Sequence, residues 1–464
     1  MEHFLLSQAA AWTHGEACGE AEITNVVKDT GEVTPGALFV AIKGERFDGH
    51  DFIPKAIEAG AAAVMTARRE EKDPVPALYV EDTRQAMLDL AGGYRDQFDC
   101  PVVAITGSVG KTTTRGMIAA VLGRMYETHA TRGNLNNHIG VPLTLLAMLG
   151  MPLTALGLES RHEAAVFEMG MSNFGEIASM VDCGKPNIAV ITTIGTSHIE
   201  FLGSREGICR AKMEILDGLA ARGGVAVLNG DEPLLWEKRD RIYGRKVWFG
   251  MENPECDVRA QDIESTADGV SFTLCLPETA FPVQLHLPGV HNVGNALAAA
   301  AVGWLLGVDA DDIGAALAEY QPDGRRQQLY EKNGFTIYED CYNASPDSMQ
   351  AALRVLGAQH GRRFAVLGSM LELGEHAAEG HRQAGFAAAK NADALYLFGG
   401  NAADMAAGAR EGGMAEEQIR MFDTHEAMAD ALKAAAQPGD ALLFKGSRGM
   451  RMENVLKLFL GEEV

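Results

Sequence analysis

Residues 101–113 read PVVAITGSVGKTT, and this stretch decides how the rest of the chain is parsed. Positions 102–106 form an apolar run of strand length ahead of a glycine turn, and a helical pattern follows. Gly107 and Gly110 let the backbone curl so that successive N–H groups, through Ser108, Val109, Lys111, Thr112 and Thr113, face an anion, and the helix adds the positive end of its dipole. Lys111 is suited to neutralise the β and γ phosphates of a nucleotide, and the Thr112 hydroxyl to ligate Mg²⁺. Two residues rather than the usual four separate Gly107 from the Gly-Lys pair at 110 and 111, so the generic phosphate-loop pattern does not match. A plain glycine turn between strand and helix is the competing reading. Charge argues against it, because residues 101–140 hold Lys111, Arg115, Arg124 and Arg132 against one acid, Glu127, a net of +3.

That window is an exception in the chain as a whole. With 63 acidic and 40 basic residues the net charge is −23, which repels phosphate backbones and excludes a general nucleic-acid binder. At 47% hydrophobic and 22% charged residues the composition can bury a core, so disorder as the main state is also excluded. The seven cysteines are scattered without a C-x-x-C pair, as expected of reduced thiols in the cytoplasm. The first twenty residues lack a basic start and a sustained apolar stretch, so the mature chain is expected to begin near Met1. The uncharged run 139–158 is long enough to span a bilayer, but three glycines and two prolines interrupt it, and it reads as buried helix and loop.

Working outward, 464 residues at roughly 150 per domain predict about three domains. Ahead of the phosphate loop, strands at 38–42 and 62–65 flank a helix with Phe52, Ile53 and Ile57 on its apolar side, a small α/β unit ending near residue 98. After the loop, strands at 102–106, 164–169, 188–194 and 224–228 alternate with helical patterns such as 205–221 and 292–306, which favours a mostly parallel sheet. Beyond the turn formed by Gln321, Pro322, Asp323 and Gly324, strands at 335–339, 364–368, 394–398 and 441–445 make a doubly wound, Rossmann-like unit without a dinucleotide glycine fingerprint. The fold class is therefore α/β in three domains: 1–98, a central 99–322 of phosphate-loop type, and 323–464.

In open parallel sheets ligands sit beyond the carboxyl ends of the strands. One strand delivers the phosphate loop, AAVFEM ends at Glu168, and IAVITTIGTSH leads to His198. A carboxylate and an imidazole beside a triphosphate are plausible Mg²⁺ ligands, Glu168 the stronger since magnesium prefers oxygen. His198 alone is as readily a packed loop histidine, and Lys212 in CRAKMEIL reads most simply as a solvated helix lysine.

Together the motifs resemble the Mur ligase family of ATP-dependent amide-forming enzymes over nearly the whole chain. The segments are TPGALFVAIKGERFDGHDF (34–52), TGSVGKTT (106–113), GNLNNHIGVPLTLL (133–146), TSHIEFLG (196–203), AKMEI (211–215), HNVGNALAA (291–299), EDCYNASPDSM (339–349), GSMLELGEH (368–376) and LFKGSRGMRME (443–453). The DNPR motif of relatives that add diaminopimelate is absent. The resemblance implies an ADP-forming ligase that joins UDP-N-acetylmuramoyl-tripeptide to D-alanyl-D-alanine through an acyl phosphate, in the cytoplasm, as a monomer without membrane insertion. It implies ATP and more than one Mg²⁺ as cofactors and a carbamylated Lys212. Lys111, Lys212 and His198 would be catalytic, with Thr112, Glu168, His198 and Lys212 at the metals. His291, Asn292 and Asn295 would lie on the adenine side, and Arg326 and Asp340 would reach the nucleotide from the third domain. Asp29, Thr30 and Asn137 would face the UDP-muramoyl substrate; Tyr342, Asn343, Lys445, Ser447 and Arg448 would hold the dipeptide, Lys445 or Arg448 pairing its carboxylate. Two departures stand out: Gly31 follows Asp29 and Thr30 where the family commonly has arginine, and Ser345 replaces a common asparagine. A ligase of the same superfamily adding another amino acid, a folylpolyglutamate-type ligase and a nucleotide-hydrolysing switch are the alternatives.

Overall fold

The computed structural model describes residues 1–44, 47–69, 74–131, 151–266, 269–322 and 326–463. The strand Val102–Thr106, buried at all five positions, lies inside a nine-stranded sheet. Across that sheet the order runs Ala280–Leu285, Gly269–Cys275, Val258–Thr266, Arg245–Gly250, Val225–Asn229, Ile188–Ile191, Val102–Thr106, Ala164–Glu168, Thr128–Ala130. The seven strands from Val258–Thr266 onward are mutually parallel, as expected, and the first two add an antiparallel meander. This meander was not anticipated. Its middle strand alternates buried and half-buried residues, the period-two pattern of a sheet with one wet face, and lacks the continuous apolar run used to find the others.

Parallel pairing aligns the carboxyl ends of Val102–Thr106, Ala164–Glu168 and Ile188–Ile191, so the phosphate loop, Glu168 and the 192–198 segment emerge along one edge. The helix expected over 205–221 is shorter. It spans Arg205–Met213, capped by Ser204, whose Oγ accepts the Gly207 N–H at 3.1 Å, and then breaks into single turns at Glu214–Leu216 and Ala220–Arg222. Gly218, at φ 65°, lies in the left-handed region, which a right-handed helix cannot contain.

The amino-terminal unit is a five-stranded sheet ordered Glu16–Cys18, Ala77–Tyr79, Ala63–Thr66, Ala37–Val40, Asn25–Val27, with the expected helix at Ile53–Glu58. Its closing helix, Thr83–Arg95, is capped by Asp82, which accepts from Arg84 N–H at 2.7 Å, and packs against Glu176–Gly184 of the central unit. One apolar cluster runs through both units, joining Leu38, Met65, Leu90 and Tyr94 to Val102, Phe167 and Val181. Of the run 139–158, residues 139–150 lie outside the described set; 151–156 are helical, with Met151, Ala155 and Leu156 buried. Among the described residues no helix is long and apolar enough to cross a membrane.

The third unit is a six-stranded sheet, ordered Gln328–Lys332, Phe335–Asp340, Ala441–Lys445, Arg363–Gly368, Ala394–Phe398, Ile419–Phe422. All pairs are parallel except the opening hairpin. Separate apolar clusters cover its two faces, one built on Met349, Leu353 and Leu356 and the other on Met428, Leu432 and Phe459. That is the doubly wound arrangement read from the sequence.

The fully buried Tyr94 fastens the first unit to the second. Its hydroxyl donates to Leu158 O at 2.6 Å and accepts the Glu2 N–H at 2.7 Å. Tyr94→Phe leaves both groups without this partner, and urea titration should show a loss of about 1–3 kcal/mol. A change under about 0.5 kcal/mol would mean that the hydroxyl does not secure the junction.

Candidate active site

Gly110 has φ 88°, and a Cβ there would come within 2.4 Å of Asn295 Oδ1, so the start of the helix Lys111–Leu122 requires glycine for both torsion and space. The neighbouring strand end grips the loop. Ser108 N–H donates to Thr193 O at 2.9 Å and Val109 N–H to Thr193 Oγ1 at 3.0 Å, while Thr192 Oγ1 donates to Val109 O at 2.7 Å. The Ser108 and Val109 N–H groups, expected to face phosphate, are thus occupied in holding the loop. The donors suited to an anion are the N–H groups of Lys111, Thr112 and Thr113, which open the helix and have no main-chain partner within it.

Lys111 Nζ donates to Gly107 O at 2.8 Å. Burial pushes its pKa down, opposed by nearby Glu168 and reinforced by Arg326. Glu168, 6% exposed, accepts from Thr112 Oγ1 at 3.1 and 3.2 Å and lies 3.4 Å from the buried Arg115 Nη1. The positive window read from the sequence is only partly realised in space, because Arg124 turns away to pair with Glu319 at 2.6 Å and Arg132 lies outside the described residues.

Lys212 is 1% exposed, and its ammonium makes no hydrogen bond or ion pair among the described residues. The solvated-helix reading is therefore overturned. Burial, with the charge of Lys111 second, holds its pKa well below the ordinary lysine value and favours the neutral amine. His198, at φ 63°, points Nδ1 to within 2.8 Å of Glu372 Oε2 from the third unit, at an angle too bent for a hydrogen bond. Among the described residues no three His, Cys, Asp or Glu side chains gather as a metal site. Thr112 and Glu168 are oxygen donors in contact at the start of the helix that follows the loop, the kind of partial set Mg²⁺ uses when phosphates and waters complete its shell.

Asn292 and Asn295 are buried in a relay: Thr114 Oγ1 donates to Asn295 Oδ1 at 3.1 Å, Asn295 Nδ2 to Asn292 Oδ1 at 2.9 Å, and Asn292 Nδ2 to Gln327 Oε1 at 2.8 Å. This ties the phosphate-loop helix to the start of the third unit. His291 borders a cavity of about 340 Å³ with Pro288, Gly289, Arg354 and Val355. Arg326 lies over the Tyr342 ring, 3.7 Å from its centroid, and Asp340 Oδ1 accepts the Gln327 N–H at 3.3 Å.

The residues expected to hold a dipeptide are largely engaged with the protein. Lys445, 2% exposed, pairs with Asp340 and donates to Asn343 O at 3.0 Å, which commits two of its three N–H donors. Ser447 Oγ accepts the Leu371 N–H at 2.9 Å, joining two strand ends. Arg448 pairs with Glu453 yet is 39% exposed, so of the two expected cations it is the one accessible to a carboxylate. Tyr342 is half-buried and Asn343 exposed. Asp29 caps the turn Thr30–Glu32 by accepting the Gly31 N–H at 2.9 Å, with Thr30 beside it, far from the phosphate loop in sequence and on a different sheet. Asn137 lies outside the described residues.

Residues 22–95, 105–303 and 324–448 match, in turn, the Mur ligase family catalytic domain, the Mur ligase middle domain and the Mur ligase glutamate ligase domain. The UDP-N-acetylmuramoyl-tripeptide–D-alanyl-D-alanine ligase of Bacillus subtilis is 39% identical over 94% of this chain and 93% of its own. The chain belongs to the Mur ligase family. Among solved Mur ligases, MurF from Acinetobacter baumannii covers 100% of both chains with a TM-score of 0.90 at 32% identity. MurF ligase from Thermotoga maritima in complex with ADP covers 94% of this chain and 97% of its own, with a TM-score of 0.82 at 32% identity.

Around the loop, the sequence shows Arg115 only as one charge of the positive window, without its partner Glu168. Arg115 lies one helical turn after Lys111, a spacing that could have marked it. Thr192 and Thr193 stood in view in the quoted strand end, whereas Glu372 and Asp347 meet the central unit only through tertiary packing.

Burial lowers the His291 pKa from 6.5 to about 4, so folding favours neutral imidazole. This contribution is complete above pH 6.5 and is lost as pH falls toward about 4. Urea unfolding across that range should show wild type losing more stability than His291→Gln. Parallel losses in the two proteins would show that His291 does not carry the effect.

Proposed function

We infer that the chain is an ATP-dependent, ADP-forming ligase that joins D-alanyl-D-alanine to UDP-N-acetylmuramoyl-tripeptide in peptidoglycan precursor synthesis. The observation that carries this is the full-length likeness to ligases of that name, together with a phosphate loop whose Lys111 lies near enough to Arg326 of the third unit for the two charges to interact. The reaction belongs where ATP and reduced thiols are found, in the cytoplasm, and all seven cysteines are free.

A carboxylate is a poor electrophile, so it must first gain a leaving group. The terminal carboxylate oxygen of the tripeptide attacks the γ phosphorus of ATP, and the bond from that phosphorus to ADP breaks. Lys111 and the N–H groups of Lys111, Thr112 and Thr113 stabilise the charge gathering on the departing oxygen. The neutral amine of the dipeptide then attacks the acyl carbon, phosphate leaves with the carbon–oxygen bonding pair, and the amine nitrogen gives up a proton. Arg448 is the cation available to hold the dipeptide carboxylate, while Tyr342 and Asn343 follow the end of the neighbouring parallel strand. Asp29 and Thr30, and Asn137 outside the described residues, are assigned to the UDP-muramoyl end, where Gly31 leaves one basic contact fewer than is common in the family.

Thr112, Glu168, His198 and a carbamylated Lys212 are the residues that would hold Mg²⁺, which when bound would screen the repulsion between the carboxylate and the triphosphate. Carbamylation fits the surroundings of Lys212. A buried neutral amine adds through nitrogen to CO₂, losing a proton and gaining an anionic carboxylate where no partner neutralised the ammonium.

Mass spectrometry of a reaction containing UDP-muramoyl tripeptide, ATP and D-alanyl-D-alanine should reveal the tripeptide extended by the dipeptide less one water, with equimolar ADP. Lys111→Ala should retain the fold and lose most of this product. A normal rate in that variant would remove the phosphate-site assignment. Depleting bicarbonate should lower wild-type turnover reversibly, and Lys212→Ala should be inactive with or without it. Full activity of Lys212→Ala in CO₂-free buffer would return this lysine to a packing role.

A further inference from the structure

Asp347 lies on the first turn of the helix Pro346–Gly357, yet that helix does not use its carboxylate. Ser345 is the cap, accepting the Ser348 N–H at 3.4 Å while the Ser348 hydroxyl accepts the Ser345 N–H at 2.9 Å. Asp347 instead turns across the cleft, and its Oδ2 accepts Thr196 N–H at 3.2 Å and Thr196 Oγ1 at 3.4 Å. The adjacent Gly195 makes the approach possible, since a Cβ there would come within 2.3 Å of the same oxygen and 3.1 Å of Ser108 Cβ. The opposite side of this short segment is bonded to the phosphate loop: Gly195 N–H donates to Ser108 Oγ at 2.8 Å and Ser197 Oγ to Ser108 O at 3.4 Å. Residues 195–198 are thus held on one side by the phosphate loop and on the other by the third unit.

A second contact lies beside the first. Glu372 faces His198 at 2.8 Å, and both residues have left-handed backbones, at φ 64° and 63°, which is costly away from glycine. Next to them a Cβ on Gly374 would come 2.9 Å from Glu200 Cγ, so these chains also approach closely. Backbone strain on both sides of one contact is a feature that packing alone does not require.

We propose that Asp347 is a positioning residue for the ligation reaction: by seating on Gly195 and Thr196 it latches the third unit against the segment that carries His198 and supports Ser108. This rests on the ligase reading above. The latch draws the strand ends that carry Tyr342, Asn343 and Arg448 toward the phosphate loop, and it makes closure depend on an acceptor oxygen at position 347 rather than on its charge. Thr196 contributes a backbone N–H and a neutral hydroxyl, and an amide oxygen can accept from both.

The test compares Asp347→Ala, Asp347→Asn and Gly195→Ala, the last of which displaces the carboxylate without removing it. Asp347→Ala and Gly195→Ala should each lower kcat/KM for D-alanyl-D-alanine by about tenfold, the order expected when a net hydrogen bond is lost. Asp347→Asn should stay within about threefold of wild type. Small-angle scattering with a non-hydrolysable ATP analogue should find Asp347→Ala and Gly195→Ala more extended than wild type and Asp347→Asn like wild type. The latch is overturned if Asp347→Ala scatters like wild type, or if Asp347→Asn is as impaired as Asp347→Ala. Inactivity of wild type toward the dipeptide would count against the ligase reading, and the scattering comparison would still decide the latch.

Discussion

The structure turns on the grip that Thr192 and Thr193 exert on the phosphate loop. A glycine loop between strand and helix has many conformations, and an anion site needs one of them. Hydrogen bonds from Ser108 and Val109 to Thr193, and from Thr192 to Val109, select that one before any ligand arrives. Preorganisation of this kind lets fixed dipoles act without reorganising during the reaction. Everything else at the site is placed relative to the loop: Glu168 against Thr112, Lys111 over Gly107, and the asparagine relay running back from Thr114.

Burial then divides the lysines by task. Lys111 keeps a carbonyl partner and a carboxylate neighbour, so its positive charge is compensated where phosphate would bind. Lys212 has neither and sits close enough to Lys111 to feel its charge, which disfavours a second cation. Lys445 is buried too, but Asp340 answers it directly and it serves the third unit's own architecture. Three lysines of one chain, two buried and one half-buried, thus differ because of what lies within a few ångströms of each.

Strands that pack on both faces were legible as continuous apolar runs, and so were the order of the three units and the edge at which Glu168 and His198 emerge. The antiparallel meander carries alternating rather than unbroken apolar residues, and the helix from residue 205 ends before Gly218, whose left-handed backbone no right-handed helix contains. At the site, identity was readable but partnership was not. Nothing in CRAKMEIL shows that Lys212 is buried without a counter-ion, and nothing in LFKGSRG shows that Lys445 is committed to Asp340. These facts depend on residues more than a hundred positions apart in the chain, as do the contacts of Asp347 with Thr196.

The first and second units share an apolar cluster, whereas no such cluster joins either of them to the third among the described residues. The third meets the second through hydrogen bonds and the close approach of His198 to Glu372, polar contacts whose net worth is small because water supplies the same partners when they open. The outer lobe can therefore swing away at modest cost while the oily seam of the other two stays shut.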